Sequence, residues 1–276
     1  MKIFINSGRL SFENGTHIAT YDEATGILYG THKSGFYSCI NVTRIALYKL
    51  ISQGIIPTSI SFKYTLHNYK ELPTDDLYPH LYTIDNNAIK YITTNFDFDY
   101  FCPTLIDYKY FDFNYFTFIE RAFFSPSEKV QHKITDLIKT YNITPTNTIA
   151  VLHRGNDKCQ EATLADPEQW INQTKQQLDT NSRILIQTDE EITRDIVTNY
   201  FGDRCFTFKE MIFTNTYSKP ENNFTDWAIC FESIMRIISK CKKIITHSGN
   251  CGFIPILYRK NTRNITQLRH TGEFIS

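Results

Sequence analysis

From about residue 126 onward, short apolar runs alternate with amphipathic segments of helical length. The clearest apolar runs are Thr148–Leu152, Arg183–Gln187 and Lys243–Thr246. Strands that alternate with helices of about 10–15 residues are typical of a parallel sheet connected by right-handed crossovers. This half of the chain is therefore predicted to be an α/β domain around a parallel sheet.

The helices between these runs carry start and stop signals. Glu128–Tyr141 is predicted to be a helix that ends before Pro145. Asp166 and Pro167 open the next helix, because aspartate is a good N-cap and proline suits the first helical position. Further predicted elements are the helices Glu191–Tyr200 and Trp227–Ser239 and the strands Cys205–Phe208 and Ile265–Leu268.

The first half of the chain is less regular and rich in aromatic residues. Lys2–Asn6 and Ser59–Phe62 are predicted strands, and Ile40–Ile51 is a predicted helix after a turn at Gly35. A strand, turn, helix and strand in this order are typical of the start of a doubly wound α/β domain. The aromatic stretch Tyr91–Phe124 is predicted to pack in the core and between domains, or to form a platform for a sugar ring, on which aromatic faces stack.

The change of character near residue 125 predicts two domains. Residues 1–125 are expected to form one α/β domain, and residues 126–276 a second, Rossmann-like domain.

Composition excludes several classes of protein. Lys and Arg together number 29, as do Asp and Glu, which argues against a general nucleic-acid binder with a basic face. No apolar run is long enough to span a membrane, and no signal peptide is evident at the N-terminus. The seven cysteines are scattered without a Cys-x-x-Cys pair, which argues against a disulfide framework or zinc site and favours the cytoplasm.

Three predicted strands end at residues that suit a ligand site: Arg154, Asp189 and Ser248. Ligands of parallel α/β sheets bind beyond the carboxyl ends of the strands. Helix capping explains Asp189 or Ser248 alone, but their occurrence at successive strand ends favours a site.

The segment His153–Ala162 concentrates charged groups around Arg154 and Gly155. Arginine holds phosphate through two parallel hydrogen bonds, and an adjacent glycine lets backbone amides approach a pyrophosphate. A metal-free glycosyl transfer needs such groups, because the leaving nucleoside diphosphate gains negative charge in the transition state. The alternative is an exposed, salt-bridged turn.

Val151–Ala162 resembles the His-x-Arg-Arg-Thr-Asp-Lys…Glu-Ala-Ala peptide of α1,6-fucosyltransferases and the His-x-Arg motif shared by α1,2-, α1,6- and protein O-fucosyltransferases. Ile186–Glu190 is similar to a strand end of that family. Phe231–Ser233 and Ile245–Asn250 are similar to its later helix, strand and turn. The resemblance covers roughly residues 148–268.

The resemblance implies a GT-B-like α/β fold with two Rossmann-type domains that face each other across a cleft. In that arrangement residues 1–125 would be the acceptor-side α/β domain, and residues 126–276 the Rossmann-like domain that binds the nucleotide-sugar donor. It also implies an inverting, metal-independent glycosyltransferase. Such an enzyme moves a sugar from a nucleotide-sugar donor to a hydroxyl of a glycan or glycoprotein acceptor, with no metal and no further cofactor.

By the same resemblance, Arg154 would hold the β-phosphate of the donor, and Lys158 would be a second cation. Asp157 would brace the loop, and Glu161 would be the general base. The donor-binding positions implied are His153, Arg154, Gly155, Asp189, Glu232, His247, Ser248, Gly249 and Asn250, with Glu232 as a candidate contact to the nucleobase.

The sequence departs from the family motif at Leu152, where the family has histidine, and at Gly155, where it has a second arginine. The donor is therefore not fixed as GDP-fucose, and UDP-xylose and other GDP- or UDP-sugars stay open. Asp97 and Asp99 have the spacing of the metal-binding pair of GT-A transferases, which gives a second enzyme hypothesis. A non-catalytic nucleotide-sugar or glycan-binding protein is the third.

Overall fold

The computed structural model describes residues 2–6, 9–11, 18–99, 101–155, 162–210 and 223–276. The chain forms two compact units, each assembled from three segments. Unit 1 comprises Met1–Phe101, Asp112–Gln131 and Lys219–Ile229, and unit 2 comprises Cys102–Phe111, His132–Ser218 and Cys230–Ser276. The predicted division into residues 1–125 and 126–276 remains a prediction.

The first part of the chain forms two small sheets with helices. Its elements are β1 (Lys2–Asn6), β2 (Arg9–Ser11), β3 (Ala19–Asp22), β4 (Ile27–Gly30), α1 (Phe36–Ser52), β5 (Ser59–Ser61), α2 (Tyr78–Leu81), β6 (Tyr82–Thr83), α3 (Asn86–Ile89), α4 (Phe116–Phe123) and β7 (Ser125–Pro126).

The main sheet of unit 1 has the strand order β2-β1-β3-β4-β5. Strand β1 is antiparallel to β2 and β3, and β3 is antiparallel to β4, whereas β4 and β5 are parallel. Two parallel strands need a connection of a dozen or more residues. The link from β3 to β4 is a short turn, whereas the connection from β4 to β5 contains the whole of α1. The Rossmann-type arrangement expected for the first half is therefore limited to β4–α1–β5.

Helix α1 is the centre of this unit. It packs against β3 and β4 and is buried on almost all sides, including at Ile40 and Leu47. The sheet presents alternate residues to the core, among them Ile3, Ile5 and Leu28.

The second part of the chain alternates strands and helices as predicted. Its elements are α5 (Glu128–Thr140), β8 (Thr148–Leu152), α6 (Pro167–Gln177), β9 (Arg183–Gln187), α7 (Glu191–Phe201), β10 (Cys205–Phe206), α8 (Phe224–Lys240), β11 (Lys243–His247), α9 (Asn250–Arg259), β12 (Ile265–Leu268) and β13 (Phe274–Ile275).

The sheet of unit 2 has the order β10-β9-β8-β11-β12-β13. Counted along the chain within this sheet, the order is 3-2-1-4-5-6, which is that of a doubly wound nucleotide-binding fold. Strands β10, β9, β8, β11 and β12 are parallel, and the short β13 is antiparallel to β12. The strand order reverses between β8 and β11, so the crevice beyond their carboxyl ends is the expected ligand site.

Buried apolar side chains fix this sheet between its helices. Strand β8 is buried along its whole length, and Ile149 and Val151 pack with Trp170 of α6. The predicted N-cap of α6 is confirmed, because Asp166 and Gln169 form a reciprocal capping box. Within the described ranges, no helix combines the length and apolar character needed to cross a membrane.

Candidate functional site

Arg154 lies in the loop after β8 and contacts the residues that follow two other strands. Its Nε lies 3.7 Å from Asp189 Oδ2, in the loop after β9. Its Nη1 donates to the Cys251 thiol at 3.6 Å, in the first turn of α9. The guanidinium is therefore held at the point where the strand order of the sheet reverses, with about a quarter of the side chain exposed.

Asp189 connects the same two loops through the backbone. Its Oδ1 accepts a hydrogen bond of 2.8 Å from Gly155 N. A Cβ on Gly155 would lie 1.9 Å from Glu190 Oε1, so a side chain at this position would require the Glu190 carboxylate to move. Burial raises the pKa of Asp189 to about 6, although the Gly155 N–H and the Arg154 charge oppose the rise.

This raised pKa predicts a pH-dependent cost of folding. Between about pH 4 and 6 the folded state binds more protons at Asp189 than the unfolded chain does, so its stability falls as pH rises through that window. Asp189→Asn removes this term. Relative to wild type, the free energy of unfolding of the variant should therefore increase by about 1–3 kcal/mol as the pH rises from 4 to 7. Urea unfolding of both proteins at several pH values measures the difference, and a difference independent of pH would contradict the assignment.

His153 points into unit 2 rather than into solvent. Its Nδ1 lies 2.8 Å from Thr188 Oγ1, and its ring meets Trp170 edge-on at 5.4 Å. Burial lowers the pKa of His153 to about 4, so the imidazole is neutral at pH 7. Thr188 Oγ1 also accepts a hydrogen bond from Glu190 N, which favours donation of its own proton to His153 Nδ1. His153 therefore fixes the β9 loop that carries Asp189.

The loop after β11 leads directly into α9. His247 Nδ1 donates to Leu152 O at 3.1 Å and so joins the ends of β11 and β8. Gly249 is the N-cap of α9 and has a φ of 135°, a conformation that favours glycine. A Cβ on Gly252 would lie 1.8 Å from His247 O, so glycine allows the first turn of α9 to lie against the end of β11.

The N-terminus of α9 is suited to an anion. The first backbone N–H groups of a helix have no partner within the helix, and the helix dipole places partial positive charge there. Because Arg154 contacts the first turn of α9, the guanidinium and this helix end act on the same region. An anionic group such as a phosphate would be stabilised by both.

A buried side-chain network supports the turn at Ser248 and Gly249. Tyr108 is fully buried, and its hydroxyl lies 3.0 Å from His247 O and accepts from Gly249 N at 3.0 Å. Gln267 of β12 bonds to the backbone of Tyr108 and Ile106 and to Ser248 Oγ. Both residues belong to unit 2.

The remaining predicted site residues are Glu232, Asn250, Asp157, Lys158 and Glu161. The Glu232 carboxylate is fully buried on α8 in an ion pair with Arg236 Nε at 2.8 Å, and its contact to a nucleobase remains a prediction. Asn250 is the first residue of α9. The catalytic candidates that lie outside the described residues are Asp157, Lys158 and Glu161.

The alternative metal pair belongs to unit 1. Asp97 and Asp99 are both exposed in a segment without regular secondary structure. In the ranges that the structure describes, no group of three or more His, Cys, Asp or Glu side chains is arranged to hold a metal ion.

Sequence reasoning missed four residues of this region: Tyr108, Cys251, Gly252 and Gln267. A glutamine inside the strand Ile265–Leu268 is a signal, since a buried amide needs hydrogen-bond partners. The second glycine of Ser248–Gly252 is another, because glycine inside a helix often marks a close approach of backbones. Tyr108 lies in an irregular aromatic stretch that offers no such signal.

No protein-family model and no curated protein sequence matches the chain. Among solved structures, the chain is similar to the NodZ alpha-1,6-fucosyltransferase co-crystallized with GDP, at 15% identity and a TM-score of 0.38 over 57% of this chain and 49% of that one. For the same enzyme soaked with GDP-fucose, the identity is 15% and the TM-score 0.37, over 57% and 50% of the two chains. For the fucosyltransferase NodZ from Bradyrhizobium, the identity is 14% and the TM-score 0.37, over 57% of this chain and 50% of that one.

The chain spans about half the length of these solved structures. All three solved structures are of fucosyltransferases.

Proposed function

We propose that this protein is a metal-independent, inverting glycosyltransferase that binds the diphosphate of a nucleotide sugar beyond the carboxyl ends of β8 and β11. The observation that carries the proposal is the position of Arg154. Its guanidinium lies where the strand order reverses and contacts both Asp189 and the first turn of α9. The second substrate is a hydroxyl group of a glycan or glycoprotein.

In this proposal Arg154 and the N-terminus of α9 bind the diphosphate together. Two N–H groups of the guanidinium donate to phosphate oxygens, and the helix end adds backbone donors. Asp189 holds the guanidinium from the opposite side, because its carboxylate is anchored by Gly155 N. The same groups stabilise the negative charge that develops on the leaving diphosphate.

The proposed transfer is a single displacement at the anomeric carbon. The acceptor hydroxyl gives its proton to Glu161, and its oxygen attacks the face opposite the diphosphate. The bond between the anomeric carbon and the diphosphate breaks, and its electron pair leaves with the phosphate oxygen. Lys158 adds positive charge near the leaving group, and Asp157 braces the loop; these roles rest on the resemblance of the motif.

The motif limits the choice of donor nucleotide and sugar but does not identify either one. GDP-fucose is the donor of the family that the motif resembles. Leu152 and Gly155 replace two polar side chains of that motif, so UDP-xylose and other GDP- or UDP-sugars stay open.

Nucleotide binding tests the proposal directly. A ligand at 100 times its dissociation constant is expected to raise the free energy of unfolding by about 2.7 kcal/mol. We expect this effect from GDP or UDP and from the matching sugar nucleotide, and a weaker effect from GMP or UMP, which lack the second phosphate. Thermal unfolding with each ligand provides the measurement. No stabilisation by GDP, UDP, GDP-fucose or UDP-xylose at millimolar concentration would refute the diphosphate site.

Turnover separates the enzyme from a binding protein. An enzyme hydrolyses or transfers the sugar of the donor that stabilises it when glycan acceptors are supplied. Tight binding of a sugar nucleotide without either reaction, over a broad panel of acceptors, would favour a non-catalytic nucleotide-sugar-binding protein.

A further inference from the structure

The side chain of Gln267 is almost completely buried and all of its N–H groups are used. Its Oε1 accepts from Tyr108 N at 2.7 Å. Its Nε2 donates to Ile106 O at 2.9 Å and to Ser248 Oγ at 2.8 Å. The glutamine therefore connects three backbone or side-chain groups around the turn that precedes α9.

These partners determine which end of the amide is oxygen and which is nitrogen. A backbone N–H such as that of Tyr108 only donates, and a carbonyl such as that of Ile106 only accepts. Reversing the amide of Gln267 would bring two donors together at one end and two acceptors together at the other. Nε2 must therefore face Ser248, and the Ser248 oxygen must accept.

The Ser248 hydroxyl proton is consequently directed away from Gln267. Ser248 is only 3% exposed, and within the described residues its hydroxyl makes a hydrogen bond to Gln267 alone. A buried hydroxyl proton requires an acceptor, and Ser248 directly precedes Gly249, the N-cap of α9. An anion bound at the N-terminus of α9 would supply that acceptor.

Tyr108 holds the same turn through its hydroxyl group. The hydroxyl accepts from Gly249 N at 3.0 Å and lies 3.0 Å from His247 O and 3.1 Å from Gly249 O. Its backbone N–H also fixes Oε1 of Gln267. Tyr108 thus sets both the path of the turn and the direction of the amide that faces Ser248.

We infer that Gln267 and Tyr108 are positioning residues that present the Ser248 hydroxyl as a hydrogen-bond donor to a phosphate oxygen at the N-terminus of α9. The inference rests on the proposed diphosphate site. It adds that Gln267 of the neighbouring strand β12, by donating to the Ser248 oxygen, leaves the Ser248 hydroxyl proton to donate to the phosphate.

A double-mutant cycle tests this inference. Gln267→Met keeps the length and apolar packing of the side chain but removes its donation to Ser248. We expect Ser248→Ala to weaken binding of GDP or UDP about tenfold, since it loses a hydrogen bond to the charged phosphate. Gln267→Met should weaken it by a similar factor, because the Ser248 oxygen no longer accepts from Gln267 and its proton is no longer held toward the phosphate. In the Ser248→Ala background, Gln267→Met is expected to change the affinity less than about twofold, because it acts through the serine. Gln131→Glu, at an exposed glutamine, is the control and should leave the affinity unchanged.

Each outcome of the titrations decides the inference. A tenfold effect of Gln267→Met in both backgrounds would show a structural role that does not pass through Ser248, and an unchanged affinity of Ser248→Ala would overturn the inference. Tyr108→Phe should weaken binding in the wild-type background and little in the Ser248→Ala background.

A crystal structure of the unliganded protein provides a second measurement that is independent of nucleotide binding. If wild type bound neither GDP nor UDP, the proposed function would fail, and this structure would still show which atoms lie within hydrogen-bond distance of Ser248 Oγ. We expect Gln267 Nε2 within hydrogen-bond distance of Ser248 Oγ and Ile106 O. A protein acceptor within hydrogen-bond distance of the Ser248 hydroxyl would overturn the inference.

Discussion

Replacing Arg154 with alanine is expected to lower kcat/KM for the sugar nucleotide by about 10²–10³-fold, the effect typical of losing one preorganised donor to a developing negative charge. The loss should fall on kcat as well as on affinity, because the diphosphate carries more charge in the transition state than in the bound donor. Steady-state kinetics with the donor that wild type uses, together with nucleotide titrations, measure both parts.

Arg154→Lys separates charge from geometry. Lysine keeps the positive charge but offers a point-like ammonium in place of the planar fork that binds phosphate through two bonds. We therefore expect Arg154→Lys to recover only part of the lost activity. Arg263→Ala, at an exposed arginine, is the matched control and should behave as wild type. Near-normal turnover of Arg154→Ala would place the diphosphate elsewhere.

The regular elements of unit 2 could be predicted from the sequence because their burial follows simple periodicities. The bounds of β8, β9 and β12 are those predicted, since each is a short apolar run between polar residues. Parallel strands covered on both faces read as continuous apolar runs, and the helices between them keep one apolar face. Arg154 and Asp189 lie close together because they follow β8 and β9, which are parallel neighbours and so end at the same edge of the sheet.

The sheet of unit 1 shows where such reasoning fails. Strands β3 and β4 form an antiparallel hairpin, and each has only four residues, which is too short a run to set a clear periodicity in the sequence. The sequence therefore predicts Lys2–Asn6 as the strand that precedes α1, whereas in the structure the strand directly before α1 is Ile27–Gly30. Antiparallel hairpins with short links leave a weaker sequence signal than buried parallel strands do.

The supporting network of the site was also beyond sequence reasoning, for a different reason. Tyr108 and Gln267 are joined by a hydrogen bond across 159 positions of the chain. Neither periodicity nor local motifs report contacts of that range. The aromatic stretch Tyr91–Phe124 proved to be divided, with Tyr108 and Phe123 buried and Tyr91 largely exposed. A platform for an acceptor sugar on its exposed part remains a prediction.

The largest expected effect on stability concerns a buried ion pair in unit 1. Arg44 Nε lies 3.1 Å from Glu120 Oε1, and the two side chains are only 1% and 4% exposed. The Tyr48 hydroxyl also donates to Glu120 Oε1, and the Arg44 guanidinium lies 4.1 Å from the centre of the Phe124 ring. Both charges are thus removed from water and depend on each other for compensation.

We therefore expect Glu120→Ala to lower the free energy of unfolding by about 3–5 kcal/mol, because it leaves the Arg44 charge buried without its carboxylate. The neighbouring Arg121 gives a matched control, since its ion pair with Asp85 is largely exposed and screened by solvent. Arg121→Ala should change stability little. In the double variant Arg44→Met with Glu120→Leu, both charges are absent and most of the lost stability should return. Urea unfolding followed by circular dichroism compares all four proteins. Equal effects of Glu120→Ala and Arg121→Ala would show that the buried pair is not coupled as its geometry indicates.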